Sequence, residues 1–341
     1  MKILYIGSNE KSSTSFHRAK ALVRIGNQVD IVNPYEVYKN LNFLTSKFHY
    51  RTGFRFLQKN IYNWVKTNIS NDNYDLVWVN GGELLGLDCV SYIKSKIKKP
   101  IILYNNDDPT GGRDGRRFDM LIDAIPNYDI CVVMRELNVE EYLEKGAKKV
   151  IRVFMSYDEI AHSPLKESEI HESFKSEVSF IGTNMPKENR DKFLFELIKR
   201  EVPISIWGGR WERSPYWKDL KPFFRGHTLK GEDYIAAIQG SKICLGLLSK
   251  GNRDLHTTRT FEIPFIGSLF CAERTKEHKN LFEENREAVF WQDVDECAEK
   301  CHNLLVNTKL IEEIARNGRH RLLSDKRGNE DVVKYILNQI S

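Results

Sequence analysis

The sequence predicts two doubly wound α/β domains in tandem, and three observations support this fold class. The chain has 341 residues, whereas single domains commonly have about 150 residues. Short β-branched runs that end in Gly, Asn or Asp alternate with helical stretches, which is typical of a parallel sheet covered by helices on both faces. The alternation stops near residues 157–164 and then restarts.

The predicted strands fall into two series. The first series covers residues 2–7, 29–32, 75–79, 101–104, 130–134 and 150–154. The second covers residues 178–181, 204–207, 243–248, 269–271 and 288–291. These series predict an N-terminal domain over residues 1–160, a linker over 161–177 and a C-terminal domain over 178–322. A C-terminal helix within 323–341 is expected to pack back on the N-terminal domain.

Composition excludes several classes of protein. Hydrophobic residues make up 41% and charged residues 29%, which is ordinary for a globular chain. The net charge of +5 is too small to indicate a nucleic-acid partner. No stretch has the roughly 20 apolar residues that a membrane span needs, and the first ten residues do not resemble a secretion signal. We therefore expect a cytoplasmic protein.

The six cysteines indicate no metal site. Four of them lie singly in apolar runs, where cysteine packs as a small hydrophobic residue. Cys297 and Cys301 are four residues apart in a helical pattern and are followed by His302. Because a zinc site needs more ligands at close spacing, we predict that the chain binds no metal.

The segment Asp254–Gly267 carries the strongest functional signal. Arg259 and the first N–H groups of the helix predicted from about residue 260 can hold a diphosphate, and the hydroxyl of Thr258 lies beside them. The Glu262 carboxylate can accept two hydrogen bonds from a ribose diol. Gly267 lets the next strand pack closely behind the helix. The alternative interpretation is an ordinary helix with an Arg–Glu pair on its surface.

This segment resembles the C-terminal domain of the CgeB-like glycosyltransferases. The resemblance extends over residues 178–323 and is carried by an arginine, a Phe-Glu-x-Pro-x-x-Gly motif, a Leu-Phe step and a Gly-Arg pair, here Arg259, Phe261–Gly267, Leu281-Phe282 and Gly318-Arg319. It implies a GT-B fold, in which two Rossmann-like domains face each other across a cleft. It also implies a nucleotide-sugar donor and no metal or other cofactor.

The resemblance also implies roles for two acidic residues. Related GT-B enzymes have an acidic residue, usually glutamate, eight positions before the glutamate that binds ribose. Here Asp254 stands eight positions before Glu262. Asp254 would then contact hydroxyls of the donor sugar, although aspartate in place of glutamate puts that role in doubt.

Four further positions of the C-terminal domain are candidates for donor binding. Gly182 ends the first strand of this domain, where backbone N–H groups can meet a phosphate. Gly226 begins a loop at the depth where such enzymes hold the nucleobase. Lys250 lies in a loop that leads into the main motif, and His256 lies within that motif. Plain turns explain the glycines equally well.

In the N-terminal domain, candidates for the catalytic base lie just after strands. Asp107 and Asp108 follow one strand and Glu83 follows another, so any of these carboxylates can deprotonate an acceptor hydroxyl. Asp107 and Asp108 also fit an ordinary Asp-Pro turn. Gly7, a candidate for substrate binding, ends the first strand without a GxGxxG fingerprint, which argues against a dinucleotide cofactor. His17, at the start of the first helix, is the remaining candidate.

Residues 37–70 are basic and aromatic and contain no acidic residue. Such a segment suits an anionic membrane surface, a glycan or a lipid-linked acceptor. Alternatively, the aromatic residues pack on the sheet and the lysines are solvated.

Taken together, the sequence predicts transfer of a sugar from a nucleotide sugar to an acceptor hydroxyl on a glycan, a lipid-linked molecule or a protein. The expected participants are a donor bound by the C-terminal domain and an acceptor bound by the N-terminal domain. Two alternatives remain: an epimerase or hydrolase of nucleotide sugars with the same fold, and a non-catalytic subunit that binds them.

Overall fold

The computed structural model describes residues 1–39, 41–69 and 73–340. These residues form two compact units. The first unit comprises Met1–Phe154 and Asn329–Ser341, and the second comprises Met155–Gly328. Each unit is built on its own six-stranded sheet.

The first unit alternates strands and helices as predicted. Its elements in chain order are β1 (Lys2–Ile6), α1 (Thr14–Arg24), β2 (Gln28–Val32), α2 (Phe43–Arg51), α3 (Gln58–Asn68), β3 (Leu76–Asn80), α4 (Leu87–Ile97), β4 (Ile101–Tyr104), α5 (Asp119–Ala124), β5 (Ile130–Val133), α6 (Glu136–Glu144) and β6 (Val150–Arg152). The strand order is β2-β1-β3-β4-β5-β6, and every paired strand is parallel.

The second unit repeats this plan. Its elements are β7 (Ser176–Ile181), α7 (Arg190–Lys199), β8 (Ile204–Trp207), α8 (Trp217–Leu220), β9 (Phe224–Gly226), α9 (Glu232–Gln239), β10 (Ser241–Gly246), α10 (Arg259–Ile266), β11 (Leu269–Glu273), α11 (Lys276–Leu281), β12 (Val289–Trp291), α12 (Val294–Leu305) and α13 (Thr308–Ser324). The strand order is β12-β11-β10-β7-β8-β9, again parallel throughout.

Both sheets are buried on both faces, which is why their strands have continuous apolar runs. In β1, residues 3–6 are almost fully buried, as are residues 178–181 of β7. The prediction of two doubly wound α/β units is therefore confirmed. It omitted β9, because this edge strand has three residues and its first two are not fully buried.

The boundary between the units differs from the prediction. It falls between Phe154 and Met155, and the predicted linker over residues 161–177 belongs to the second unit. The physical reason is a pair of hydrogen bonds to α9 of the second unit: Leu165 N–H donates to the Gln239 side chain at 2.8 Å, and the Gln239 amide donates back to Leu165 O at 2.9 Å. The polar composition of residues 161–177 is that of a segment on the protein surface.

The last helix, α14 (Asn329–Leu337), belongs to the first unit. It packs on α1, and Arg24 forms an ion pair with Glu330 at this contact. The predicted C-terminal helix over 323–341 thus begins later than expected, because α13 continues to Ser324. Among the described residues, no helix is both long and apolar enough to cross a bilayer.

Candidate functional site

The order of strands in the second sheet creates a crevice at the carboxyl ends of β7 and β10. The chain runs from β7 outward through β8 and β9 and then crosses to β10 on the other side. The loops that follow β7 and β10 therefore diverge in opposite directions. Ligands of doubly wound sheets bind at such a switch point.

Two arginines bind backbone carbonyls at this crevice. Arg259 Nε donates to Ile181 O at 2.7 Å, at the end of β7. Arg190 donates to Thr183 O and to Leu248 O, both at 3.1 Å, and so joins the loops that follow β7 and β10. Local sequence does not reveal this contact of Arg190, because Leu248 lies 58 residues further along the chain.

Arg259 also begins helix α10, so its charge adds to the positive end of the helix dipole. The N–H groups of Phe261 and Glu262 bond back to Thr258 O, both at 2.9 Å, and Thr257 N–H bonds to the Thr260 hydroxyl. Thr260 N–H also bonds to Thr257 O, at 3.1 Å. These N–H groups therefore already have acceptors, and an anion at this end of α10 is attracted by the helix dipole and by Arg259. The Arg259 guanidinium lies over the Tyr234 ring, 5.9 Å from its centroid, and within the described residues its two terminal nitrogens have no hydrogen-bond or ion-pair partner.

Glu262, the predicted ribose ligand, is buried beside α9 and is 5% exposed. Tyr234 donates its hydroxyl to Glu262 Oε2 at 2.5 Å. Burial and the Glu262 charge raise the pKa of Tyr234 well above its ordinary value, so Tyr234 remains a donor. His162 Nε2 lies 3.6 Å from the other carboxylate oxygen. A carboxylate has about four acceptor positions, which leaves capacity for a diol.

The loop after β10 is organised by a second carboxylate. Glu188 accepts the N–H groups of Lys250 and Gly251, at 2.8 and 3.2 Å, and the Ser249 hydroxyl at 3.3 Å. Lys250 extends from this loop with its side chain 67% exposed and its Nζ 3.2 Å from Glu273. It borders a pocket of about 280 Å³ at the carboxyl ends of β10, β11 and β12.

The structure buries His256, which was predicted as a binding residue. Its ring is 2% exposed. Nε2 accepts the Met155 N–H at 3.1 Å, and Nδ1 lies 2.5 Å from the Glu277 carboxylate. Because both ring nitrogens bond within the protein, His256 orders the segment before α10. Asp254, two residues before His256 in the same segment, is also buried and is 7% exposed.

The predicted glycines bring the ends of β7, β8 and β9 together. Gly182 donates to Trp207 O and accepts from the Trp211 indole, both at 2.9 Å. Gly226 O accepts Gly208 N–H at 2.9 Å. Gly208 has φ +136°, and a Cβ there would lie 2.0 Å from Gly182 O, so this position requires glycine.

In the first unit, three of the predicted catalytic candidates lie near the carboxyl ends of β3 and β4. Glu83 accepts the Tyr35 hydroxyl at 2.8 Å. Arg117 lies between two carboxylates, 3.2 Å from Glu83 and 3.4 Å from Asp107. The topology thus brings together residues that are widely separated in the chain. Arg117 was missed because it does not follow a strand, and Tyr35, which lies shortly after β2, was missed because its contact with Glu83 is distant in the chain.

The adjacent aspartates have different environments. Asp108 is 2% exposed and accepts from the Asn138 amide at 2.7 Å, which fixes the loop after β4. The Asp107 side chain is 40% exposed. Partial burial raises the pKa of Asp107, opposed by Arg117 and reinforced by Glu83 and Asp114. Of the two aspartates, Asp107 is therefore the one accessible to a ligand.

The remaining candidates of the first unit lie on the β1–α1 turn. His17 Nε2 bonds to Lys11 O at 2.9 Å, so this nitrogen donates within the turn and is not available as a base. Gly7 N–H donates to Val32 O at 3.0 Å. A Cβ on Gly7 would lie 2.6 Å from Ser15 Oγ, so glycine permits α1 to begin close to the sheet.

Comparisons with known proteins bear on the family and the fold of the chain. Residues 188–337 match the sequence model of a family described as glycosyl transferase-like. No curated protein matches the chain. Anabaena Alr3699/HepE in complex with UDP and glucose is similar in structure, with a TM-score of 0.68, 12% identity and coverage of 100% of this chain and 99% of that chain.

Two other solved structures share the fold. Sucrose-phosphate synthase (tll1590) from Thermosynechococcus elongatus has a TM-score of 0.72 and 11% identity, covering 100% of this chain and 99% of that chain. A putative UDP-N-acetylglucosamine 2-epimerase from Listeria monocytogenes has a TM-score of 0.61 and 12% identity, covering 98% and 94%. At these identities the likeness shows the fold alone, which is GT-B.

Proposed function

We propose that the chain is a metal-independent glycosyltransferase of the CgeB-like type that transfers a sugar from a nucleoside-diphosphate sugar to an acceptor hydroxyl. The observation that carries this proposal is the crevice between β7 and β10. There a partly buried arginine and a helix N-terminus lie beside a buried glutamate that retains acceptor capacity. The glycosyl transferase-like match over residues 188–337 includes the arginine, the helix and the glutamate.

In this proposal the second unit holds the donor. The terminal nitrogens of Arg259 bind the diphosphate at the positive end of the α10 dipole, and Thr258 adds a hydroxyl. Glu262 accepts from the ribose diol while Tyr234 holds its carboxylate in place. As the sugar leaves, negative charge develops on the diphosphate, and the fixed positive charge of Arg259 stabilises it without a metal ion. UDP bound to the similar HepE structure supports uridine as the nucleoside.

The first unit supplies the base in this proposal. Asp107 accepts the proton of the acceptor hydroxyl as the bond to the sugar forms. Arg117 holds Asp107 and Glu83 in one cluster, and Tyr35 fixes Glu83 from the other side. Asp108 and His17 position their loops and do not react.

The structural likeness to a putative 2-epimerase supports one alternative function, that of an epimerase or hydrolase of nucleotide sugars. An epimerase or hydrolase converts the nucleotide sugar without an acceptor, so product that forms at full rate in an acceptor-free reaction favours it. A non-catalytic subunit binds the donor and yields no product under any condition.

Donor binding is tested by thermal shift with UDP, GDP, CDP, CMP and dTDP, because a ligand that binds only the folded state raises Tm. We expect UDP to raise Tm with EDTA present. We expect Glu262→Gln to weaken UDP binding by about 10- to 150-fold, since hydrogen bonds to a charged acceptor contribute about 1.5–3 kcal/mol.

The matched control is Glu283→Gln, at a side chain that is 58% exposed and pairs with Arg286. It should bind UDP like the wild type. Equal UDP affinity in Glu262→Gln and wild type would refute the ribose role, and a requirement for divalent metal would refute metal independence.

The first unit, which would bind the acceptor, is proposed to contact an anionic membrane through part of residues 37–70. Residues 40 and 70 of this segment lie outside the described residues. Helix α2 has no buried residue. Its apolar side chains and that of Phe56 are strongly exposed: Phe43 77%, Leu44 76%, Phe48 51% and Phe56 61%. Lys47, Arg51 and Lys59 lie in the same stretch, whereas Phe54 and Trp64 belong to or pack on the core.

Basic and apolar side chains in one short segment bind anionic lipid by charge attraction and insertion together. We therefore expect the protein to sediment with phosphatidylglycerol-containing vesicles but only weakly with pure phosphatidylcholine, and high salt should weaken binding. The double variant Phe43→Ser/Phe48→Ser should lose most of this binding.

The control for the vesicle experiment is Leu137→Ser/Leu143→Ser. These leucines of α6 are 56% and 49% exposed on the same unit but lie outside the basic segment. This variant should bind like the wild type. Vesicle binding that survives Phe43→Ser/Phe48→Ser, or that does not depend on lipid charge, would refute the membrane contact.

A further inference from the structure

Three cysteines meet in the core of the second unit, away from the donor crevice. Cys271 lies in β11, and Cys297 and Cys301 lie in α12. Their three sulfur atoms all lie within 4.8 Å of one another, and each residue is 0% exposed. Sequence spacing predicted only the pair on α12, because Cys271 is 26 residues before Cys297 in the chain.

The fold explains this meeting. Cys297 and Cys301 are separated by one helical turn and share a face of α12. That face is buried in the core cluster that also contains Cys271 and apolar neighbours such as Val289 and Leu304. All three cysteines are free thiols. The other three cysteines, Cys89, Cys131 and Cys244, belong to no such group among the described residues.

The spacing of the sulfurs is near what a shared central atom needs. Two sulfurs on one tetrahedral zinc lie about 3.8 Å apart, given a Zn–S length of about 2.3 Å. Drawing the three cysteines onto one atom thus requires movements of about 1 Å or less, within reach of side-chain rotation.

The apolar surroundings select the charge of the bound atom. Three thiolates around a divalent ion would leave one net negative charge in a core with no solvent, which is strongly unfavourable. Three thiolates around a trivalent atom are neutral. Soft sulfur ligands also select thiophilic atoms over oxygen-seeking ones.

We infer that Cys271, Cys297 and Cys301 form a chelating site for a trivalent thiophilic atom, with arsenic(III) as the probe. In the binding step arsenous acid, which is neutral at pH 7, exchanges its hydroxyls for the thiols. Three As–O bonds break, three As–S bonds form, and each thiol proton leaves on a hydroxyl as water. Arsenic stays trivalent, so the step needs no oxidant or reductant and buries no charge.

An atom bound by all three sulfurs links β11, which carries Cys271, to α12, which carries Cys297 and Cys301. Because the unfolded chain does not hold three cysteines together, binding favours the folded state and raises Tm. The site is independent of the proposed glycosyl transfer, and it needs no part of the donor crevice.

The experiment incubates the full chain with sodium arsenite under anaerobic conditions and measures native mass and Tm. We expect one arsenic per chain with loss of three hydrogens, together with a higher Tm. Cys271→Ala should abolish the three-hydrogen signature; a residual Cys297–Cys301 chelate would retain one hydroxyl on arsenic and lose two hydrogens. Cys244→Ala, at a buried cysteine of neighbouring strand β10, should bind like the wild type.

Two results would overturn the inference. The first is absence of bound arsenic in a wild-type protein whose circular dichroism is that of the folded state. The second is stoichiometric zinc binding by the same cysteines without arsenic binding, which would refute the trivalent, charge-neutral assignment. The three-hydrogen signature in Cys271→Ala would place the bound atom elsewhere and equally overturn it.

Discussion

Substitution of Arg259 by alanine is expected to lower the rate of sugar transfer by about 10²- to 10³-fold, because a fixed charge that stabilises a developing anion contributes about this much. UDP should also bind more weakly. The variant should remain folded, although the hydrogen bond from Nε to Ile181 O is lost. That loss should reduce the free energy of unfolding by about 1–3 kcal/mol. Turnover and circular dichroism measure the two effects separately.

Two companion variants sharpen the Arg259 experiment. Arg259→Lys keeps the charge but lacks the planar fork that binds Ile181 O and a phosphate together, so its rate should fall between those of alanine and wild type. Arg286→Ala removes an arginine that is 69% exposed and paired with Glu283, and it should behave like the wild type. Turnover of wild-type size in Arg259→Ala would exclude the proposed donor site.

Substitution of Asp107 by asparagine is expected to lower transfer by about 10²- to 10⁴-fold, the usual contribution of a positioned base. UDP binding should be unchanged, since the donor residues belong to the second unit. A base must be deprotonated to act, and the pKa of Asp107 is raised by burial and by the Glu83 and Asp114 carboxylates. In the wild type, kcat/KM should therefore rise as pH increases through a pKa above 3.8, the ordinary value for this carboxyl.

Asp114→Asn is the matched control for this prediction. Asp114 lies 3.8 Å from Arg117, and its charge raises the pKa of Asp107. Removing that charge should lower the pKa of Asp107 and move the acidic limb of the pH profile to lower pH, while turnover at pH 7 changes little. Undiminished transfer by Asp107→Asn, or an acidic limb that does not move in Asp114→Asn, would contradict the assignment of the base.

The fold was predictable because its signals are local. Each strand of a doubly wound sheet is buried on both faces, so β1, β3, β4, β7 and β10 stand out as apolar runs. The unit boundary was not predictable from composition. The polar segment 161–177 looks like a linker until its hydrogen bonds to Gln239 place it on the second unit.

Part of the candidate site was predictable because it is continuous in sequence. Arg259 and Glu262 lie three residues apart on one helix turn, and the resemblance to CgeB-like proteins gave each a role. Local pattern did not reveal the environment of His256, because a histidine in a polar motif and a buried histidine bonded to Glu277 have the same spacing.

The sequence by itself determined two doubly wound units, the helix of Arg259 and Glu262, and the strand ends on which the carboxylates lie. Only the tertiary structure decided that Arg190 joins two loops, that Tyr234 holds Glu262, that Arg117 joins Glu83 to Asp107, and that Cys271 meets Cys297 and Cys301. The physical reason is that these contacts depend on the order of strands in a sheet and on which helix face is buried. Hydrophobic periodicity specifies elements, but it does not specify which distant side chains those elements bring together.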